Sequence, residues 1–214
     1  MKVLALGAHP DDIEFGCGGS LIRFARAGHD VYSYVATCGE LGGDCDTRRS
    51  EQEDAAVFAG IKKVYWGGYA DCEVPLSRGL ISNVESVLRE IEPDFIFVHN
   101  ENDTHQDHRN LAKATLSATR YVPNFLFYEG PTTLNFTPNA YIDVDPVLED
   151  KYALLGKHES QVAKVIHGMP ELSITDFARA TARFRGIQGR KKNAEAFMSL
   201  RLFLGIPEFA DGSE

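Results

Sequence analysis

Short apolar runs alternate with longer stretches of helical period through the first hundred residues. Residues 2–8 form an apolar run bounded by Gly7 and Pro10, the pattern of a strand buried on both faces. Leu21, Ile22, Phe24 and Ala25 then recur at helical spacing, predicting a helix over 18–27 that stops at Gly28. Residues 30–37 (DVYSYVAT) are β-branched and aromatic and predict a second strand. A polar-faced helix over 47–59 ends at Gly60, and Val64-Tyr65-Trp66 makes a third strand. The best helix is 77–92, with Leu80, Ile81, Val84, Val87, Leu88 and Ile91 on one stripe and Pro93 after it. The strongest strand, 94–98 (DFIFV), follows. Strand and helix repeated with short connections mean an α/β fold: a Rossmann-like, mostly parallel sheet with helices on both faces. Beyond residue 120 the alternation loosens. There the pattern predicts strands near 125–128 and 141–144 and helices near 146–158 and 190–201, a mixed C-terminal extension of one domain spanning 1–214. The polar tail over 206–214 is expected to fray.

Composition narrows this picture. The 214 residues, 43% apolar and 25% charged, suffice for a substantial core without staples. A net charge of −9 argues against nucleic acid or an anionic membrane surface as partner. No apolar run approaches bilayer length and no signal-peptide pattern precedes the first strand, so a cytoplasmic location is expected. Cys17, Cys38, Cys45 and Cys72 contain no C-x-x-C pair and read as free thiols in a reducing compartment. Arg190-Lys191-Lys192 reads as a small solvated cluster.

In parallel sheets ligands sit at the carboxyl ends of the strands, near the point where strand order reverses. The loops there are polar: His9-Pro10-Asp11-Asp12 after strand one, Thr37-Cys38-Gly39-Glu40 after strand two, Gly68-Tyr69-Ala70-Asp71 after strand three, and Asp103-Thr104-His105-Gln106-Asp107-His108 after strand four. The loops at the opposite end are ordinary turns. A 3-2-1-4-5 strand order sets the first and fourth of these loops side by side. Histidine and carboxylate suit zinc or ferrous iron, and a catalytic metal keeps three protein ligands and an open position. The assignment is His9, Asp12 and His108 as ligands, and Asp11 as general base for the water that the metal activates. His105, held by Asp107 as an imidazolium, would face the developing oxyanion. These parts make a metal-assisted hydrolase of an amide or ester. A receiver-domain reading of the adjacent acids fits poorly with a preceding histidine and this chain length. A dinucleotide fold would need its glycines right after strand one, and Gly16-Cys17-Gly18-Gly19 comes too late. His99 reads as a core histidine, His29 and His167 as surface residues.

AHPDDIEFGCGG (residues 8–19) resembles the A-H-P-D-D signature of the LmbE-like, or PIG-L-type, N-acetylglucosamine de-N-acetylases. Further segments resemble that family in the expected order: Thr37-Cys38-Gly39-Glu40-Leu41-Gly42, Arg48-x-x-Glu51 with Ala55, Gly68-Tyr69-Ala70-Asp71, His105-Gln106-Asp107-His108 and His158-Glu159-Ser160-Gln161. Ile13 and Gln106 depart from the family's commonest residues, and neither is a ligand position. The resemblance implies a zinc-dependent sugar N-deacetylase with Zn2+ (or native Fe2+) on His9, Asp12 and His108, base Asp11 and oxyanion-side His105. It implies a small N-acetyl sugar as substrate and puts Glu40, Arg48 and Asp71 in substrate-binding loops, with Arg48 either gripping an anionic aglycone or pairing with Glu51. His158 is expected near the pocket rim or an interface. A chain of this size is compatible with a homo-oligomer, trimer or hexamer, as in some relatives. The alternatives are an amidase or esterase on a non-sugar substrate, and a metal-stabilised binding module without turnover. A base and electrophile pair, Asp11 and His105, argues against the last.

Overall fold

The computed structural model describes residues 1–164 and 172–203. Its parallel strands are β1 (Lys2–Gly7), β2 (Asp30–Thr37), β3 (Val64–Tyr69), β4 (Phe95–His99) and β5 (Asn124–Tyr128). The helices between them are α1 (Asp12–Arg26), α2 (Cys45–Ala59), α3 (Arg78–Ile91) and α4 (Gln106–Ala118). Then come β6 (Ala140–Asp143), α5 (Leu148–Leu155), α6 (Glu159–Val162), α7 (Ile174–Gln188) and β7 (Ala194–Arg201). All seven strands form one sheet, ordered β3-β2-β1-β4-β5-β7-β6, with β7 antiparallel to both its neighbours. The expected 3-2-1-4-5 order is therefore present and extended by two strands at one edge. The molecule is a single α/β domain.

β1 is apolar throughout because it sits in the middle of this sheet. Val3 and Ala5 join one core with Cys17 and Leu21 of α1 and Ala55 and Ala59 of α2. Leu4 and Leu6 join the other core with Leu80 and Val84 of α3 and Leu111 of α4. Strand order reverses at β1, whose neighbours β2 and β4 are both parallel to it. The loops into α1 and α4 thus leave the same end of the sheet at the switch point, where such folds bind ligands.

Two expectations about elements need correction. The helix predicted from residue 18 starts at Asp12, because Gly16, Gly18 and Gly19 stand inside it instead of breaking it. Their lack of side chains lets α1 lie close on its neighbours: a Cβ on Gly16 would come within 2.2 Å of the Tyr128 ring, and one on Gly19 within 2.9 Å of Val144. The helix expected over 190–201 is strand β7, and α7 lies before it. Ala, Glu, Met and Leu in AEAFMSLR carry good helix propensity, but pairing with β5 and β6 and burial on both faces override it.

A buried ion pair fastens β7 to α1. Glu195 of β7 accepts from the backbone N–H groups of Gly19 and Ser20 (2.8 and 2.7 Å) and from the Ser20 hydroxyl. Lys151 of α5 bonds Glu195 and donates to the Phe15 carbonyl at 2.7 Å. Both side chains are buried. Lys151→Met strands a carboxylate in the core and should cost about 3–5 kcal/mol of stability. Urea unfolding reads this directly, and a loss below about 1 kcal/mol would mean the pair is dispensable.

The cysteine expectation is also corrected. Cys38 at the end of the β2 segment and Cys45, the first residue of α2, form a disulfide, with Cα atoms 5.3 Å apart. Cys17 and Cys72 are free. Among the described residues, no helix is long and apolar enough to cross a membrane. His167 and the tail over 206–214 lie outside the described residues.

Candidate active site

Ala8-His9-Pro10-Asp11 turns sharply from β1 into α1. Asp11 takes a left-handed backbone (φ 93°) as it enters the helix, and its side chain does not cap it. A non-glycine residue pays for such a conformation only where its surroundings hold it there. The turn points His9, Asp11 and Asp12 into an open cleft of about 380 Å³. His105 and His108, three apart at the start of α4, enter the same cleft from β4.

His9, Asp12 and His108 each offer a ligand atom, all within 4.8 Å of one another. Their remaining atoms are held from behind. The His9 Nε2 edge faces Asp71 Oδ1 at 3.0 Å and Asp107 Oδ2 at 3.2 Å, leaving Nδ1 toward Asp12. Asp12 Oδ2 accepts from the His9 N–H at 2.7 Å and lies 3.1 Å from His99 Nε2, leaving Oδ1 toward His108. Both ring nitrogens of buried His108 lack a hydrogen bond, although Asp12 and Asp103 stand 3.4 Å away on either side. Orphaned imidazole nitrogens beside a free carboxylate oxygen are the donor set of a zinc or ferrous-iron site.

Two other triplets, His9-Asp71-His105 and Asp71-Cys72-Asp107, also come together. Several of their atoms are already spent on the protein. Asp107 accepts from the N–H groups of Cys72 and Val74, Asp71 Oδ2 from Leu41 N–H, and His105 Nδ1 from Asp107 N–H.

The field at the first triplet favours cations. Burial opposes a charge on His9, yet the carboxylates of Asp107, Asp12 and Asp71 outweigh it and push its pKa up to about 12. His108 is raised to about 9 against the same opposition, by Asp12 and Asp103. Asp11, by contrast, is lifted to about 6 by burial and then by the adjacent Asp12 charge, while His158 and Arg48 pull it down. A carboxylate raised into this range is matched to base work near neutrality.

The structure rearranges the expected pairings. The Asp107 carboxylate does not bond the His105 side chain; it goes to His9 and to the loop after β3. His105 is not held as an imidazolium. Burial, then the charges of His108 and His9, lower its pKa, and with Nδ1 accepting from a backbone N–H it presents a neutral Nε2–H to the cleft. Asp107→Asn should therefore weaken metal binding about 10- to 100-fold through His9, the usual effect of removing a carboxylate behind a ligand. A competition titration with a chelating dye measures this; unchanged affinity would detach Asp107 from the metal site.

The residues expected to bind substrate are mostly tied to the protein. Arg48 is buried, donating to the carbonyls of Gly39 and Pro10 (both 2.7 Å), with Asp11 at 3.7 Å. It forms no helix pair with Glu51, which accepts from the N–H and hydroxyl of Ser160. Glu40 is exposed and accepts from Asp71 N–H at 2.8 Å, while Asp71 serves His9. His158 is at no rim: it is fully buried behind α1, 3.4 Å from Glu14.

The sequence motifs give two supporting residues no role beside the metal site: His99, which reads as a core histidine, and Asp103, which opens the loop motif after β4. His99, at the end of β4, approaches Asp12 and stacks on His108 with ring centroids 3.8 Å apart. Asp103 is buried, accepts from His105 N–H, Thr132 and Thr133, and backs His108. Its signal was available: an acid two residues before a histidine can brace the turn that carries it.

A cleft of this composition lies at the switch point of a doubly wound sheet, the place where such folds bind ligands. The family model for GlcNAc-PI de-N-acetylase (PIG-L) matches residues 4–119, and the chain belongs to that family of deacetylases. An Escherichia coli (strain K12) protein described as an uncharacterized deacetylase, YaiS, is 35% identical over 74% of this chain and 90% of its own length. Diacetylchitobiose deacetylase of Thermococcus kodakarensis is 26% identical over 98% of this chain and 87% of its own. The structure of N,N'-diacetylchitobiose deacetylase from Pyrococcus horikoshii, complexed with its inhibitor MPG, superposes with a TM-score of 0.82 at 27% identity. It covers 98% of this chain and 88% of that one.

Proposed function

We propose that this deacetylase is metal-dependent and removes the N-acetyl group of a small N-acetylglucosamine-type sugar conjugate. The observation that carries the reading is the convergence of ligand atoms of His9, Asp12 and His108, with both His108 ring nitrogens unbonded, on the cleft that holds Asp11. Zinc or ferrous iron held there supplies Lewis-acid polarisation of the amide carbonyl and a lowered pKa for water. Asp11 takes the proton from the attacking water, and the neutral His105 Nε2–H donates to the carbonyl oxygen as charge develops on it. The C–N bond then breaks, Asp11 returns its proton to the leaving nitrogen, and acetate and an amino sugar result. Glu40, an exposed acid next to cleft-lining Leu41 and Gly42, would accept from sugar hydroxyls. Arg48 shapes the loop that carries Glu40 and lines the cleft with its guanidinium. The sugar class rests on the family and on the two diacetylchitobiose deacetylases.

The test is acetate release by the zinc-loaded protein from N-acetylglucosamine, diacetylchitobiose and an anionic N-acetylglucosamine conjugate, beside acetanilides and simple esters. Turnover of at least one sugar well above the non-sugar amides is expected. Turnover confined to the non-sugar compounds would overturn the sugar reading, and no turnover of any kind would favour a binding module.

A further inference from the structure

The segment between Cys38 and Cys45 forms part of the wall of the cleft, through Leu41 and Gly42. Little holds it by packing: Glu40, Gly43 and Asp44 are exposed, and Leu41 is 73% exposed. Three of its six residues are glycines. Gly39 needs its freedom, because its φ is +68° and a Cβ there would fall 1.9 Å from the Arg48 guanidinium. Free backbone of this kind costs the most entropy to order. Most of the ties are polar and part-exposed: Leu41 N–H to Asp71, Asp71 N–H to Glu40, and Gln161 and Lys164 to the Gly42 carbonyl, with Arg48 to the Gly39 carbonyl as the buried one at the Cys38 end. Hydrogen bonds that exchange with water hold a loop weakly. The Cys38–Cys45 bridge is the covalent tie, joining the buried end of the segment to the first turn of α2.

We propose that Cys38 and Cys45 are positioning residues: their bridge clasps the substrate-facing loop, and a dithiol reductant opens it. The kinetic part of this inference rests on the proposed deacetylation; the structural part does not. In the opening step a thiolate of the reductant attacks the sulfur of Cys45, the less buried residue of the pair, and Cys38 leaves as thiolate. The reductant's second thiol then displaces Cys45, so two electrons and two protons enter the protein and the reductant departs as its cyclic disulfide. The ligands and Asp11 stand on the β1–α1 turn and on α4, outside the loop, so opening it should weaken substrate binding more than chemistry.

The experiment compares the full chain equilibrated with glutathione disulfide and the same chain reduced with dithiothreitol. The reduced protein is desalted under argon and both forms are loaded with zinc. Alkylation after denaturation should find two free thiols in the first form and four in the second. Amide hydrogen exchange over residues 39–44 should quicken about tenfold on reduction. KM for an N-acetyl sugar should rise about three- to thirtyfold, with kcat within about twofold. The Cys38→Ser/Cys45→Ser double variant should match the reduced form and no longer respond to either treatment. Four free thiols in the oxidised form, equal exchange in both forms, or a redox response surviving in the double variant each overturn the clasp, as does a fall in kcat at constant KM. If neither form releases acetate, the functional reading fails on its own, and thiol count and exchange still decide the clasp.

Discussion

Asp11→Asn lowers kcat by about two to four orders of magnitude while the protein keeps its metal, the range for loss of general acid–base assistance. The substitution is clean. Asparagine tolerates the left-handed backbone that Asp11 occupies (φ 93°), so the turn should survive. It also removes the repulsion between neighbouring carboxylates, so Asp12 has no reason to leave the metal. The sign of the pH effect follows from the base having to be unprotonated. Burial and the Asp12 charge lift Asp11 to about 6 in the metal-free site, and below that value it binds a proton. A cation beside it draws the pKa down, so kcat/KM of the loaded enzyme should fall with pH through a limb at or below about 6. That limb should be missing in the variant. Elemental analysis with steady-state rates decides the matter: a metal-replete Asp11→Asn protein near wild-type activity would move the base elsewhere, with buried Glu14 the next carboxylate on α1.

His9→Ala, Asp12→Ala and His108→Ala should each lower bound metal below roughly a tenth of an equivalent after dialysis, since a site of three protein ligands spares none. Activity should fall to background with the metal. The wild-type protein offers a second readout independent of turnover. In the metal-free site His9 and His108 are raised to about 12 and about 9, so both rings carry a proton at pH 7.5. A metal binds the neutral ring, so those protons leave on binding and affinity rises with pH. Zinc titrations in two buffers of different ionisation heat should differ accordingly. Stoichiometric metal in any of the three variants would remove that residue from the ligand set, and buffer-independent heat would show that the rings are not protonated beforehand.

Much of this arrangement could be read along the chain. The run over residues 2–8 carries apolar side chains on consecutive positions because β1 packs on both faces, and a helix stripe such as Leu80, Val84, Val87 and Ile91 has one cause only. Strand–helix alternation restricts topology to right-handed crossovers, but the β1 and β4 loops lie together only in a 3-2-1-4-5 strand order, which the sequence leaves as an assumption and the sheet has. Histidines and acids set close together in those loops then mark the candidate reactive end of the sheet. Residue type, period and chain direction were enough to establish the fold class; the strand order of the sheet then gathers His9, Asp11, Asp12, His105 and His108 in one place.

Pairing within that place was another matter. Asp107 is two residues from His105 and nearly a hundred from His9, yet its carboxylate turns to His9, because the first turn of α4 aims it across the cleft. His158 lies in a motif and ends buried against Glu14, while Asp71 spends its oxygens on His9 and Leu41. AEAFMSLR reads as helix by propensity and becomes a strand because β5 offers an open edge and Lys151 awaits Glu195. Cys38 and Cys45 show no disulfide spacing and meet because α2 starts where the loop after β2 turns back. Local sequence encodes which face a side chain takes and which chemistry it brings. Which of several like-charged partners it meets depends on angles and distances between distant segments, and these are set only when the two cores close around the sheet.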